Sequence, residues 1–360
     1  MKLKIYQKYI LTDFIIITLK ITLIFFTLVF ILNLFEELSF FKDLETNILT
    51  PTSLALLNGP NVLFEIFPFV FLISTQFFYI KIIDNHELLA YKKFGLNNLK
   101  IISFITLLSF LMGLFIVVFF YNFSAKLKFL YLENKNKYSL DNKYLAVITD
   151  NGIWIRDYIN GNSNIINSKY IFRNNLEEVS ITQFSNDFNL LLNIEADSAD
   201  ISKENWVLKN VTIFENNSPK IKKNELIFET HFDYKKISNL FSNLYSLTIW
   251  RLFELRNEYR ALKYSTMDLN VHLNMLISYP FFVCVMTILS SILMLNIKFN
   301  KSKIFNIILG TMLSVIIYYI KYFFNVFGAN QQLPVFFSNW LPIILLLIIA
   351  SIGLVRINEK

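Results

Sequence analysis

Six apolar stretches dominate this chain and decide what it can become. Residues 12–35, 61–83, 99–122, 270–297, 304–326 and 334–356 are each long enough to cross a hydrocarbon layer of about 30 Å as a helix. Backbone inside lipid must satisfy its own N–H and C=O groups, so helices are the expected form of all six. Between residues 135 and 265 no such run occurs. Composition enters here as support: 54% hydrophobic residues against 17% charged is more apolar than an ordinary soluble domain. The first run is longer than the roughly 7–15 residues of a signal-peptide core. It ends in Asn33, Phe35 and Glu36 rather than in a small-residue cleavage site, so it is expected to remain as a membrane helix.

Charge gives the runs a direction. Lys2, Lys4 and Lys8 precede the first, Lys92, Lys93 and Lys100 separate the second and third, Lys298, Lys301 and Lys303 separate the fourth and fifth, and Arg356 follows the last. By the positive-inside rule these segments are cytoplasmic. The opposite connections agree, since residues 36–45 hold Glu36, Glu37, Asp43 and Glu45 against Lys42 alone, and residues 322–340 hold no charge. The expectation is a multi-pass protein of the inner (cytoplasmic) membrane, both termini cytoplasmic, with residues 123–269 outside. A formal charge of +7 does not argue for nucleic acid, because the cations are scattered rather than gathered on one face or motif. The single cysteine, Cys284, lies in the fourth run and forms no intrachain disulfide.

The outer segment changes period. Tyr144–Thr149, Gly152–Arg156, Leu176–Phe184, Asn189–Glu195, Trp206–Leu208, Val211–Phe214 and Glu225–Thr230 are short runs rich in β-branched and aromatic residues, several alternating as Leu190, Leu192 and Ile194 do. Turn chemistry at Asp150-Asn151-Gly152, Asn160-Gly161-Asn162 and Asn216-Asn217-Ser218-Pro219 separates some of them. With no amphipathic helix between strands, an antiparallel sandwich or open jelly roll is expected. Ile249, Leu252, Phe253, Leu255 and Tyr259 recur at helical steps and predict a helix over 247–265 that leads back to the membrane. The domains expected are 1–125 (helices 1–3), 126–265 (β-rich, with its connecting helix) and 266–360 (helices 4–6).

No catalytic pattern emerges. The chain has eight glycines, none arranged as a phosphate-cradling loop, so it does not hydrolyse ATP alone. His86, His231 and His272 lack the spacing of a zinc site, and no nucleophile elbow is present.

The stretch from Asp84 to Gly95 is the most informative. It predicts a short cytoplasmic helix with Asp84 as N-cap, Glu87 at the third helical position and Gly95 as the stop. Leu88, Leu89, Tyr91 and Phe94 are too apolar for a free solvated helix. Local sequence leaves two accounts balanced: Glu87 completing a capping box over a membrane-docked face, and a partner-binding helix. Lys20 lies inside the first run, where snorkelling competes with function, and Glu65 lies in the second at an expected interfacial position. Lys126, Lys128, Lys135 and Lys137 follow the third run, where they are either headgroup contacts or a solvated charge run. Pro60 and Pro68 predict a helix start and a kink.

The order of parts resembles the LptF/LptG permeases of the lipopolysaccharide export ABC transporter, over nearly the whole chain. The pieces that carry the resemblance are Gly59-Pro60 with Phe67-Pro68, Glu87-Leu88 through Phe94-Gly95, Gly152-Ile153-Trp154-Ile155-Arg156-Asp157, and Leu273-Asn274-Met275; the third is closer to the LptG branch. The resemblance implies six transmembrane helices with an inserted all-β periplasmic jellyroll-like domain. It further implies a non-catalytic permease subunit that binds no cofactor and works with a homologous permease, a dimeric cytoplasmic ATPase that uses ATP, and periplasmic bridge proteins. Lipopolysaccharide would be taken from the outer leaflet into a cavity between helices. The 84–95 helix would be the coupling helix, with Glu87, Leu88, Tyr91 and Phe94 meeting the ATPase. Related LptG proteins can carry lysines near the outer end of the first helix and after the first proline of the second. Here Asn33, Ser39, Phe40 and Asn61 stand at those places, which moves the expected lipid contacts to Lys42, Lys126, Lys128, Lys135 and Lys137. A mechanotransmission subunit that moves no lipid through its own helices is the alternative, disfavoured because such proteins usually have four spans. An intramembrane lipid-modifying enzyme is disfavoured by the lack of an acid–base or metal cluster.

Overall fold

The computed structural model describes residues 4–42, 47–136, 138, 153–159, 162–172, 174–185, 189–215, 220–234, 237, 243–261, 266–295 and 303–358. The chain divides into two compact units, one of residues 1–128 with 267–360, the other of residues 129–266.

The first unit is a helical bundle. Its elements are α1 (Ile5–Phe40), α2 (Leu49–Asp84), the short α3 (Glu87–Lys93), α4 (Asn98–Phe115) continuing through a π-helical turn at Ile116–Tyr121 into α5 (Asn122–Asn136), whose residues from Phe129 belong to the second unit, and, after the second unit's α6 (Ile249–Ala261), α7 (Met267–Leu295), α8 (Lys303–Ala329) and α9 (Val335–Asn358). Among the described residues six helices are long and apolar enough to cross a membrane, one for each apolar run. At 36 residues each, α1 and α2 reach about 54 Å, well beyond the hydrocarbon layer.

α2 starts at Leu49, so Pro60 lies inside it and is not the helix start. The first turn instead contains Pro51, where a missing N–H costs nothing, and Leu54 and Ala55 are buried, giving the added turns tertiary support. Pro60, Pro68, Pro280 and Pro342 all sit inside helices, as membrane helices tolerate.

Burial separates core from periphery. About two thirds (67%) of an apolar 18-residue stretch of α2 and of α7 is buried, against 17% in α1 and 22% in α8 and α9, so the last three present broad apolar faces outward. Interhelical contacts rely on small and hydroxylated residues, the usual glue where lipid is as apolar as the side chains. Tyr279 Oη donates to Phe64 O at 2.6 Å and Ser290 Oγ to Leu72 O at 2.7 Å, tying α7 to α2. Thr287 and Ser109 share a 3.0 Å hydrogen bond between α7 and α4, where Gly113 also lies against the Pro280 backbone. The π turn brings Tyr121 to within 2.9 Å of His272 Nε2, both buried.

The second unit holds six strands, β1 (Ile153–Ile159), β2 (Asn162–Phe172), β3 (Asn175–Phe184), β4 (Leu190–Asp200), β5 (Asn205–Glu215) and β6 (Ile221–Glu229), in one antiparallel sheet ordered β1 to β6. Consecutive strands are neighbours throughout. The expected Tyr144–Thr149 strand lies outside the described residues. β2 is an addition: more than half its residues are Asn, Ser or Lys, poor strand formers alone, and the ladders to β1 and β3 hold it. The two runs expected at 206–208 and 211–214 are one strand, β5, crossed by Asn210 at φ 52°. Glu178, at φ 51°, lies on the same transverse line, with Asp197 between them by register. There Lys169 Nζ reaches Glu178 at 2.9 Å and Asn210 Nδ2 donates to Asp197 at 2.9 Å. One sheet face buries Ile155, Ile166, Val179, Ile181, Ile194 and Trp206, and Trp206 Nε1 donates to Phe232 O at 2.7 Å. α6 (Ile249–Ala261) follows, stapled by Arg251 to Glu254 and Glu258, each at 2.9 Å.

Candidate functional site

The end of the bundle that carries Ile5, α3 and the start of α8 will be called the lower end. There α2 remains helical to Asp84, so Asp84 is the last residue of α2 and not an N-cap, and Glu87 is the first residue of α3 rather than the third. The offset arises because the α2 packing face, including buried Ile82, holds the helix past the point where Asp84 and Asn85 would by themselves start a new one. His86 makes the turn at φ 58°, a left-handed conformation that costs a non-glycine residue energy. Asp84 instead forms an ion pair with Lys303 at the start of α8.

Gly95 ends α3 as expected. At φ 79° it lets its own N–H reach Lys92 O and that of Leu96 reach Tyr91 O, both at 3.0 Å, a Schellman closure. Tyr91 and Leu96 are both buried.

The four expected coupling residues therefore divide. Glu87 Oε1 accepts from Asn85 Nδ2 at 2.9 Å and from Tyr9 Oη of α1 at 3.4 Å. Tyr91 is an internal anchor; burial, then the neighbouring Glu87 carboxylate, pushes its phenol pKa up, so it is neutral at physiological pH. Leu88 is half-buried and lines a cavity of about 430 Å³ together with Ile80, Ile83, Leu89, Met294 and Leu295. Phe94 is 84% exposed and Leu89 52%, so these two, beside exposed Lys92 and Lys93, form the apolar outer face of the segment.

The expected lipid-contacting lysines that the structure describes differ in exposure and partners. Lys42 follows α1 and is exposed, as is Lys126. Lys128 Nζ donates to Asn58 Oδ1 at 2.8 Å, and Asn58 Nδ2 donates to Asn33 Oδ1 at 3.0 Å. The ammonium of α5 is thereby attached to α2 and α1. Lys135 is buried, its Nζ 2.9 Å from Tyr131 Oη and over that ring, because an i, i+4 step sets the two side chains together. Lys137 lies outside the described residues. Lys20 is exposed on α1 and Glu65 is half-buried on α2.

A further cation that periodicity does not single out is Lys321, in α8. It is 8% exposed, with Nζ 3.9 Å from the Phe282 ring centroid and 5.9 Å from that of Tyr279, a cation–π setting. Its sequence signal is one lysine inside an otherwise uncharged run.

In the second unit, Asp157 of the Gly-Ile-Trp-Ile-Arg-Asp segment has a fully buried side chain. It accepts from Thr230 Oγ1 at 2.6 Å, from His231 N at 3.0 Å, and lies 2.9 Å from His231 Nδ1. That aspartate fastens the chain leaving β6 to β1, which gives the segment a structural reason to exist.

The arrangement is that of an apolar helical bundle with exposed Phe94 and Leu89 at one end, Lys42, Lys126 and Lys128 toward the other, and a β unit inserted in sequence between its halves. No match to an individual curated protein is found. The model of the family described as lipopolysaccharide export system permease LptF/LptG matches residues 8–356, across all six apolar helices and the sheet between them. The chain therefore belongs to the LptF/LptG family of lipopolysaccharide export permeases and is a multi-pass inner-membrane protein.

Proposed function

We propose that this chain is one of two homologous permease subunits that draw lipopolysaccharide from the inner membrane, powered by a dimeric cytoplasmic ATPase bound to α3. The observation that carries the reading is the exposure of Leu89 on α3 and of Phe94 at its C-cap, between the two helix ends that a partner must move to deform the bundle. The lower end is then cytoplasmic, as are both termini, and the β unit is periplasmic, where it passes lipid to a bridge of similar domains. This chain binds no cofactor; ATP is bound and hydrolysed by the partner. The broad apolar faces of α1 and α8 suit the acyl chains of the lipid, and Lys42, Lys126 and Lys128 suit its phosphates. Lys135 is engaged by Tyr131, which weakens its claim to the headgroup. LptG-like character rests on the Gly152–Asp157 segment.

Gentle detergent extraction followed by mass spectrometry tests the proposal. Recovery of an ATPase and a second six-helix chain with this protein is expected, and a solitary, stable protein in the same extract overturns it.

A further inference from the structure

Two polar contacts join α1 to the α2–α3 corner at the lower end. Lys81 Nζ donates to Asp13 Oδ2 at 2.6 Å, with the Asp13 side chain 12% exposed. One turn lower, Tyr9 Oη donates to Glu87 Oε1, and Lys81 Nζ stands 6.0 Å from the Tyr9 ring centroid. Tyr9 and Asp13 are four residues apart on α1, as Lys81 and Asn85 are at the end of α2, so each pair shares a helix face. Asn85 in turn donates to Glu87. The result is a two-rung ladder: Asp13 to Lys81, Tyr9 to Glu87.

This ladder connects the most apolar-exposed span to the docking segment by side chains, since the chain from α1 reaches α3 only through the whole length of α2. α1 is a continuous helix from Ile5 to Phe40, and Asn33, near its far end, is bonded to the Asn58 amide that also holds Lys128. A displacement of its foot is therefore carried to its top as a rigid-body tilt. Aromatic packing of Phe14 against Phe71 and Phe78, with centroids 6.4 and 5.7 Å apart, supplies a pivot directly above the ladder.

We infer that Asp13, Lys81 and Tyr9 are positioning residues that transmit movement of α3 to α1, so that partner-driven motion at the docking segment tilts the helix lining the lipid path. The inference rests on the coupling reading of α3. None of the three is proposed to touch the ATPase or the lipid.

The test uses the complete transporter in proteoliposomes and reads lipid released per ATP hydrolysed. Asp13→Asn and Lys81→Met are each expected to lower that ratio about threefold, the scale that a part-exposed ion pair supplies, while Lys81→Arg retains it. Tyr9→Phe removes only a hydroxyl from a ring already 47% exposed; it leaves the fold intact and is expected to lower the ratio about twofold. A purely structural role would reduce the amount of assembled complex and leave the ratio of the assembled fraction unchanged, which overturns the inference. Phe94→Ala serves as the separate arm. If Phe94→Ala uncouples transport while the Tyr9, Asp13 and Lys81 variants keep the wild-type ratio, the ladder alone is refuted; if Phe94→Ala has no effect on ATPase binding or coupling, the coupling reading itself falls.

Discussion

The side chain of Gln76 occupies the space that a Cβ on Gly310 would need, and its Nε2 donates to the carbonyl of Asn306 at 2.8 Å. Gln76 is fully buried in α2 and Gly310 is buried in α8, so the two helices meet closely here through a polar group. Together with the Asp84 to Lys303 pair it pins the lower half of α8.

Gly310→Ala must push the Gln76 amide aside and break its bond to Asn306. The expected cost is about 1 kcal/mol, within the range of hydrogen bonds between membrane helices. Because the damage passes through one amide, Gln76→Ala combined with Gly310→Ala should cost clearly less than the sum of the two single changes. Unfolding in mixed micelles with increasing denaturing detergent measures all three; strict additivity contradicts the packing described.

The proposed docking role makes different demands on neighbouring residues of the α3 segment. Phe94→Ala, at an 84% exposed position, should weaken association with the ATPase by about 1–2 kcal/mol without altering membrane insertion. Glu87→Ala should lower transport and ATPase coupling, again with insertion intact. Tyr91→Ala should instead empty the space behind α3 and reduce yield, because its ring is internal. Pull-down of the ATPase at matched membrane levels separates the three; loss of yield with Phe94→Ala would contradict its exposed placement.

Lys128 offers a test of headgroup contact. Its ammonium donates to Asn58, which in turn donates to Asn33, so Lys128→Met should lower photo-crosslinking to lipopolysaccharide about fivefold, as loss of a charge-assisted phosphate contact implies. Lys135→Met should leave crosslinking within twofold. Equal losses at both positions would mean that net charge, and not placement, is what the lipid meets.

Asp200 sets a pH dependence in the β unit. Ser202 donates to its Oδ1 from Oγ at 2.6 Å and from the backbone at 2.9 Å, and these bonds, with Lys209 and Lys203 nearby, hold the carboxyl pKa below its ordinary value. A lowered folded-state pKa means that the ionised form stabilises the β4–β5 turn above the unfolded value, near pH 4, and that this contribution is lost as pH falls through the folded one. Asp200→Ala should therefore speed hydrogen exchange at Ser202 at pH 6, with the difference from wild type shrinking below about pH 4. A difference that grows on acidification would reverse the sign and refute the assignment.

Partition between water and lipid is a local property, summed over some twenty consecutive side chains, and for that reason the six spans, the break in apolarity at 135–265 and most strand positions were determined by the chain itself. So was the stop at Gly95, where one backbone angle suffices. What the linear pattern could not contain is which helix stands opposite which. The extension of α2 through Pro60 depends on burial of Leu54 and Ala55; β2 depends on ladders to both neighbours. The burial of Tyr91, the aromatic enclosure of Lys321, and the delivery of Lys128 to Asn58 and Asn33 are likewise decided by partners far along the chain. Those contacts are made only once the helices pack, because their energies belong to pairs of surfaces and not to any single segment.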